Sequence, residues 1–142
     1  MVRGDATTIQ SVADLAGKKV CATAGSTSIQ NIAARIPTAK IVAVDSRIDC
    51  LVKFQEGTVD AITADDTILA GFQEQDSRAT KILDESLEPE PYGMIFRNDH
   101  ADLVRFTNAL LDQMRADGRL AQLGQTWLGA EAAPVPPARY QP

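Results

Sequence analysis

Between residues 18 and 75 the chain alternates three times between a short apolar run and a segment of helical periodicity, and the connections are short. Residues 18–24, KKVCATA, follow Gly17 as a β-type run. Residues 27–36 then place Ile29, Ile32, Ala33 and Ile36 at helical spacing, and Pro37 ends that helix. Residues 40–44, KIVAV, are a second buried-type strand. Asp45 and Ser46 are N-cap candidates for a second helix carrying Ile48, Leu51, Val52 and Phe54, which Gly57 stops. Residues 59–64, VDAITA, read as a third strand, 66–75 as a third helix with Ile68, Leu69 and Phe72 on one face, and 79–83 as a weak fourth strand. Strand and helix in alternation pack as parallel strands joined by right-handed crossovers, with the helices covering the sheet. The expected fold class is α/β, with a small, mostly parallel sheet flanked by helices.

Beyond residue 84 the texture changes. Residues 85–93, ESLEPEPYG, carry two prolines and three glutamates and read as an extended connector. Residues 92–96 form another apolar run, expected to be a strand. Residues 101–116 are strongly amphipathic, with Leu103, Phe106, Leu110 and Met114 on one stripe. Asp117-Gly118 breaks this helix, and a last helix over 119–128 carries Leu120, Leu123 and Trp127. Four prolines in the last nine residues make 129–142 an expected disordered tail.

Charge and composition exclude several function classes. The net charge is −5, and the lysines and arginines are scattered rather than striped, which argues against a nucleic-acid partner and against anionic lipid head groups. No apolar run is long enough to span a membrane, and the first residues show no apolar segment of signal-peptide type. Cys21, Cys50 and the single His100 are too few for a Cys/His zinc site, so neither a metal nor a cofactor is expected. The two thiols leave two readings open: a pair of small buried hydrophobes, or one disulfide.

Two stretches carry candidate chemistry. Gly25-Ser26-Thr27-Ser28 lies at the carboxyl end of the first strand and opens a helix, where unpaired N–H groups favour an anion. The alternative is that Ser26 simply caps its own helix. The nucleotide-binding glycine patterns are absent. In TADDT, residues 63–67, Asp65 falls at the carboxyl end of the third strand and Asp66 at the start of its helix. The reading is that Asp66 caps while Asp65 is free to hold an ammonium group. An anion cradle and a carboxylate on one sheet edge match the two ends of an α-amino acid. Catalysis finds little support. Asp60 and Asp65 face opposite sides of their strand, Ser26 and Ser28 lack a base, and Cys21 sits mid-strand.

These same residues resemble a family. SVADLAGKKVCATAGSTS, GTVDAITADDTILAGF, EPYGMIFRND and DLVRFTNALLDQMRADGRLAQLGQTWLG are similar, in order, to four stretches of type 2 periplasmic solute-binding proteins of polar amino-acid ABC transporters: the opening of the second lobe, the stretch carrying the partner of the ligand's amino group, the return crossing and the closing helices. The paired cysteines and the proline-rich tail look most like actinobacterial glutamine- and glutamate-binding lipoproteins. The resemblance implies that Thr27, with Gly25 and Ser26, binds the ligand α-carboxylate. It implies further that Asp65 takes the α-ammonium, that Thr23 and Ala24 face the ligand side chain, and that Cys21 and Cys50 form a disulfide. It places lobe two at residues 8–87, a crossing at 88–91, and the returning strand and helices of an incomplete lobe one at 92–128. Most of lobe one, its carboxylate-clamping arginine and a lipid-attachment signal are expected to be missing, so the chain reads as a fragment of an extracytoplasmic, non-enzymatic receptor. An ABC permease would be its partner, and the exposed stripe over 101–128 implies self-association. Alternative readings are the amino-acid-sensing input of a signalling receptor and an enzyme of the cyclohexadienyl-dehydratase type.

Overall fold

Five parallel or antiparallel strands, three of them only two residues long, gather into one sheet in the first part of the chain. The computed structural model describes residues 1–90 and 92–128, which divide into a first unit, Met1–Pro89, and a second that begins at Glu90. Along the first unit run β1 (Val2–Arg3), a 3-10 turn (Val12–Leu15), β2 (Lys19–Thr23), α1 (Thr27–Arg35), β3 (Lys40–Val44), α2 (Arg47–Gln55), β4 (Ala61–Ile62), α3 (Asp66–Gln75) and β5 (Thr80–Lys81).

The sheet order is β3-β2-β4-β1-β5. β2 is parallel to β3 from Lys19 opposite Lys40 to Thr23 opposite Val44, and parallel to β4 with Cys21 opposite Ile62. The expected parallel α/β sheet is therefore present. Unexpectedly, β1 inserts antiparallel between β4 and β5, with Val2 opposite both Ala61 and Lys81. The expected third strand is shorter than its apolar run, although backbone bonding to β2 continues from Asp60 N–H to Lys19 O and from Thr63 N–H to Cys21 O, both at 2.9 Å.

Alternation along the strands divides the core into two layers. On one face Met1, Cys21 and Ile62 pack with Cys50, Leu51 and Phe54 of α2 and Leu69 and Phe72 of α3. On the other, Val2, Val20 and Ala61 pack with Ile32 of α1, Val12, Leu15 and Leu83. Helices thus cover both faces, as a parallel sheet requires. Cys21 and Cys50 form the disulfide, joining β2 to α2 with their Cα atoms 5.5 Å apart. Arg3 reaches from β1 across the α2 terminus: its guanidinium lies 5.1 Å from the Phe54 ring centroid and donates to Phe54 O. Gly57 beside it has φ +74°, a left-handed conformation that favours glycine, and a β-carbon there would stand 3.3 Å from the Arg3 Nη2 atom. The Met1 amine donates to Ile62 O at 2.8 Å, and burial pushes its pKa down to about 5.

The second unit contains α4 (Ala101–Ala116) and α5 (Arg119–Leu128), separated by Gly118 in the left-handed region, φ +81°. Asp117 accepts from both the N–H and Nε of Arg119, which holds its carboxyl below the usual carboxylate range. Residues 92–96 do not form the expected strand. A strand exists only by virtue of a ladder, and no strand pairs with this run among the described residues. Tyr92, Met94 and Ile95 are exposed, Ile95 completely. α4 is as amphipathic as its sequence indicates, yet none of its residues is buried. The expected tail, 129–142, lies outside the described residues, as does Pro91. Among the described residues no helix is long and apolar enough to cross a membrane.

Candidate ligand-binding edge

Because β3, β2 and β4 are parallel neighbours, their carboxyl ends emerge side by side. This is the edge of an α/β sheet where ligands bind and where helix N-termini point. Thr23 ends β2, Val44 ends β3, and Thr63, Ala64 and Asp65 follow β4. α1 and α3 both start here, at Thr27 and Asp66.

The turn after β2 is anchored by its own backbone. Ala24 N–H donates to Val44 O at 2.7 Å, extending the β2–β3 ladder by one bond. Gly25 has φ +74°, with no atom within 4 Å of a built β-carbon, so conformation alone demands glycine. Ser26 occupies the N-cap position, but its side chain makes no cap bond; Oγ donates instead to Thr23 O at 2.7 Å, beside the Ser26 N–H donation to the same oxygen at 3.2 Å. Side-chain capping, the alternative reading of Ser26, is not what the hydroxyl does. Its oxygen still carries lone pairs, and the first turn of α1 keeps its positive dipole end.

The acidic stretch departs from expectation. Asp65, not Asp66, stands at the N-cap of α3, and its C=O accepts from Ile68 N–H at 3.1 Å and Leu69 N–H at 3.0 Å. Its carboxylate nevertheless makes no cap bond. Asp66, in the first turn, accepts from Thr67 N–H at 2.7 Å. The helix body spans 66–75 as its apolar pattern implies, so Asp66 falls inside the first turn and the cap position passes to Asp65; a single-residue boundary is the least legible feature of a sequence.

All six candidate residues thus flank one edge. Ala24, Gly25, Thr27 and Asp65 are exposed, and Thr23 and Ser26 are half-buried, so the edge is an open surface. Two depressions mark the first unit: about 270 Å³ beside Arg3, Phe54 and Thr80, and about 420 Å³ between β3 and α2, whose lining reaches the edge at Val44 and Asp45. Neither depression includes a residue of the 24–27 turn or Asp65. Asp45, exposed just past β3, shares the edge; of the two N-cap candidates Ser46 caps α2, accepting from Asp49 N–H at 3.3 Å while Asp49 Oδ2 accepts from Ser46 N–H at 3.2 Å. Asp60 lies at the other end of the strands, accepting from Lys19 N–H at 2.8 Å. No group of three His, Cys, Asp or Glu side chains could hold a metal ion among the described residues.

No protein-family model matches the chain. It is 31% identical over 126 residues to the ABC transporter glutamine-binding protein GlnH of Bacillus subtilis, covering 88% of this chain and 46% of that protein. It is 30% identical over 141 residues to the glutamate-binding protein GluB of Corynebacterium glutamicum, covering 95% and 48%. Among solved structures, an ancestral arginine-binding protein bound to glutamine superposes with a TM-score of 0.74 at 29% identity, covering 91% of this chain and 58% of that one. The structural neighbours have the type II periplasmic binding protein fold. The chain spans about half the length of the curated relatives it matches.

Proposed function

We propose that the chain, which spans about half the length of the curated relatives it matches, is part of an amino-acid solute-binding protein of an ABC transporter and contributes one ligand-binding surface of that capture protein. The ligand is a polar amino acid of the glutamine, glutamate or aspartate type. Gly25, Ser26 and Thr27 receive its α-carboxylate, Asp65 its α-ammonium, and Thr23 and Ala24 face its side chain. The observation that carries this reading is the parallel pairing of β2 with β4. It sets the N-termini of α1 and α3 on one edge, with the Asp65 carboxylate exposed and making no cap bond. Two complementary charges on one surface select a zwitterion.

The role is capture rather than catalysis, with an ABC permease as partner of the whole protein. An extracytoplasmic, lipid-anchored setting accords with the Cys21–Cys50 bond, since disulfides persist in oxidising compartments. The exposed stripe over residues 101–128 makes the 142-residue chain self-associate.

On an open edge the ligand stays hydrated and its charges are screened, so this chain binds at about millimolar level. Titrating isotope-labelled chain with L-glutamine, L-glutamate and L-aspartate should shift the amides of residues 24–27 and 65–67. Asp65→Ala should abolish the shifts. Asp66→Ala, which removes a local bond to Thr67 N–H, should preserve them. Persistence of binding in Asp65→Ala together with its loss in Asp66→Ala would refute the assignment.

A further inference from the structure

The two halves of the candidate edge are held in place by different means. The turn at residues 24–27 hangs from β2, which is paired with β3 along five residues and locked again by the Ala24–Val44 bond. Asp65 follows β4, whose ladder with β2 is only two residues long, and it opens α3, whose buried residues are Leu69 and Phe72. Those two side chains enter the core layer that contains the Cys21–Cys50 bond, together with Leu51 and Phe54 of α2 and Ile62 of β4. Cys21 is also the residue opposite Ile62, and its carbonyl accepts from Thr63 N–H, two residues before Asp65. The disulfide therefore ties α2 to the strand that carries β4, and so closes the layer on which α3 sits.

We infer that the Cys21–Cys50 bond is a positioning element for the Asp65 half of the edge, and not for the 24–27 half. Without it α2 is free to lift from β2, the seat of Leu69 and Phe72 loosens, and the Asp65 carboxylate loses its fixed place relative to the turn. The turn itself keeps its ladder. The proposal deepens the amino-acid-binding reading and, in its ligand arm alone, rests on it.

The test is site-resolved amide hydrogen exchange on the 142-residue chain and on Cys21→Ala/Cys50→Ala, with Cys21→Ala/Cys50→Val as a second variant that keeps more of the packing. Leu15→Ala serves as a control, since it weakens the opposite core layer. Exchange at Ile68 and Leu69, both bonded to Asp65 O, should accelerate about tenfold more than exchange at Ala24 in the bond-free variants, while Leu15→Ala should accelerate both alike. Equal acceleration at both places in the bond-free variants would overturn the proposal, because the disulfide would then stabilise the unit as a whole. An L-glutamine titration on the same samples forms the second arm. Weaker binding in the bond-free variants than in Leu15→Ala supports the inference, and equal binding opposes it. If the disulfide-bonded chain gives no glutamine shift, the functional reading fails, while the exchange result still decides the positioning claim.

Discussion

The two units contain helices of similar amphipathic character with opposite fates. In the first, α2 buries Cys50, Leu51 and Phe54 against the sheet, and Phe54 is only 2% exposed. In the second, α4 is longer and has a clear apolar stripe, yet Phe106 is 66% exposed and Trp127 of α5 77%. A stripe records that a helix has a partner-seeking face; burial requires the partner. The first unit supplies its own in the sheet. Among the described residues of the second unit no sheet is present for α4 and α5 to cover.

The largest expected effect is a matched pair of truncations. Phe54→Ala should destabilise the first unit by about 3–5 kcal/mol, through the cavity and the lost Arg3 contact. Phe106→Ala should cost almost nothing and should reduce self-association. Denaturant unfolding and light scattering together read both. Equal costs would erase the contrast between the units.

The second effect concerns pH. For the 142-residue polypeptide with a free amine at Met1, the folded pKa of about 5 lies below the ordinary value of 8.0. Between these values the unfolded chain binds the proton and the folded chain does not. Stability therefore rises from pH 5 to pH 8 and is lost as pH falls back through that window, by up to about 4 kcal/mol. Acetylating Met1 should flatten this slope. A slope that survives acetylation assigns it to another group.

Removing the disulfide comes next. It closes a loop spanning 29 positions, for which chain entropy gives about 3 kcal/mol. Under reducing conditions the first unit should lose that stability while the helical signal of α4 and α5 stays unchanged. Simultaneous loss of both would show the units to be energetically coupled.

The smallest effect compares helix starts. Ser46→Ala should cost about 1 kcal/mol, because Ser46 accepts from Asp49 N–H. His100 stands at the N-cap of α4 with no side-chain cap bond, so His100→Ala should change little and His100→Ser should stabilise α4 by a few tenths of a kcal/mol. Amide exchange in the first turn of each helix measures both.

Sequence alone determined what depends on neighbours along the chain. The periods of Ile29, Ile32 and Ile36, of Leu51 and Phe54, and of Leu103, Phe106 and Leu110 placed the helices, because helical spacing is a local property. The strand-helix alternation gave the parallel sheet, since few packings satisfy it, and Gly25 and Gly118 marked turns that need left-handed backbone. Family resemblance supplied the cysteine pairing, which two thiols alone left open. Tertiary structure decided what depends on a distant partner. Val2–Arg3 is a strand only because β4 and β5 flank it, and nothing in MVRGD announces this. Residues 92–96 have strand-like composition but no ladder, and remain irregular. The cap position of α3 fell to Asp65 rather than Asp66, a one-residue boundary that two adjacent aspartates do not announce. For the two strand runs the physical reason is common: hydrogen-bond ladders are made between segments far apart in sequence, and a residue's own chemistry states what it can pair with, not what it meets.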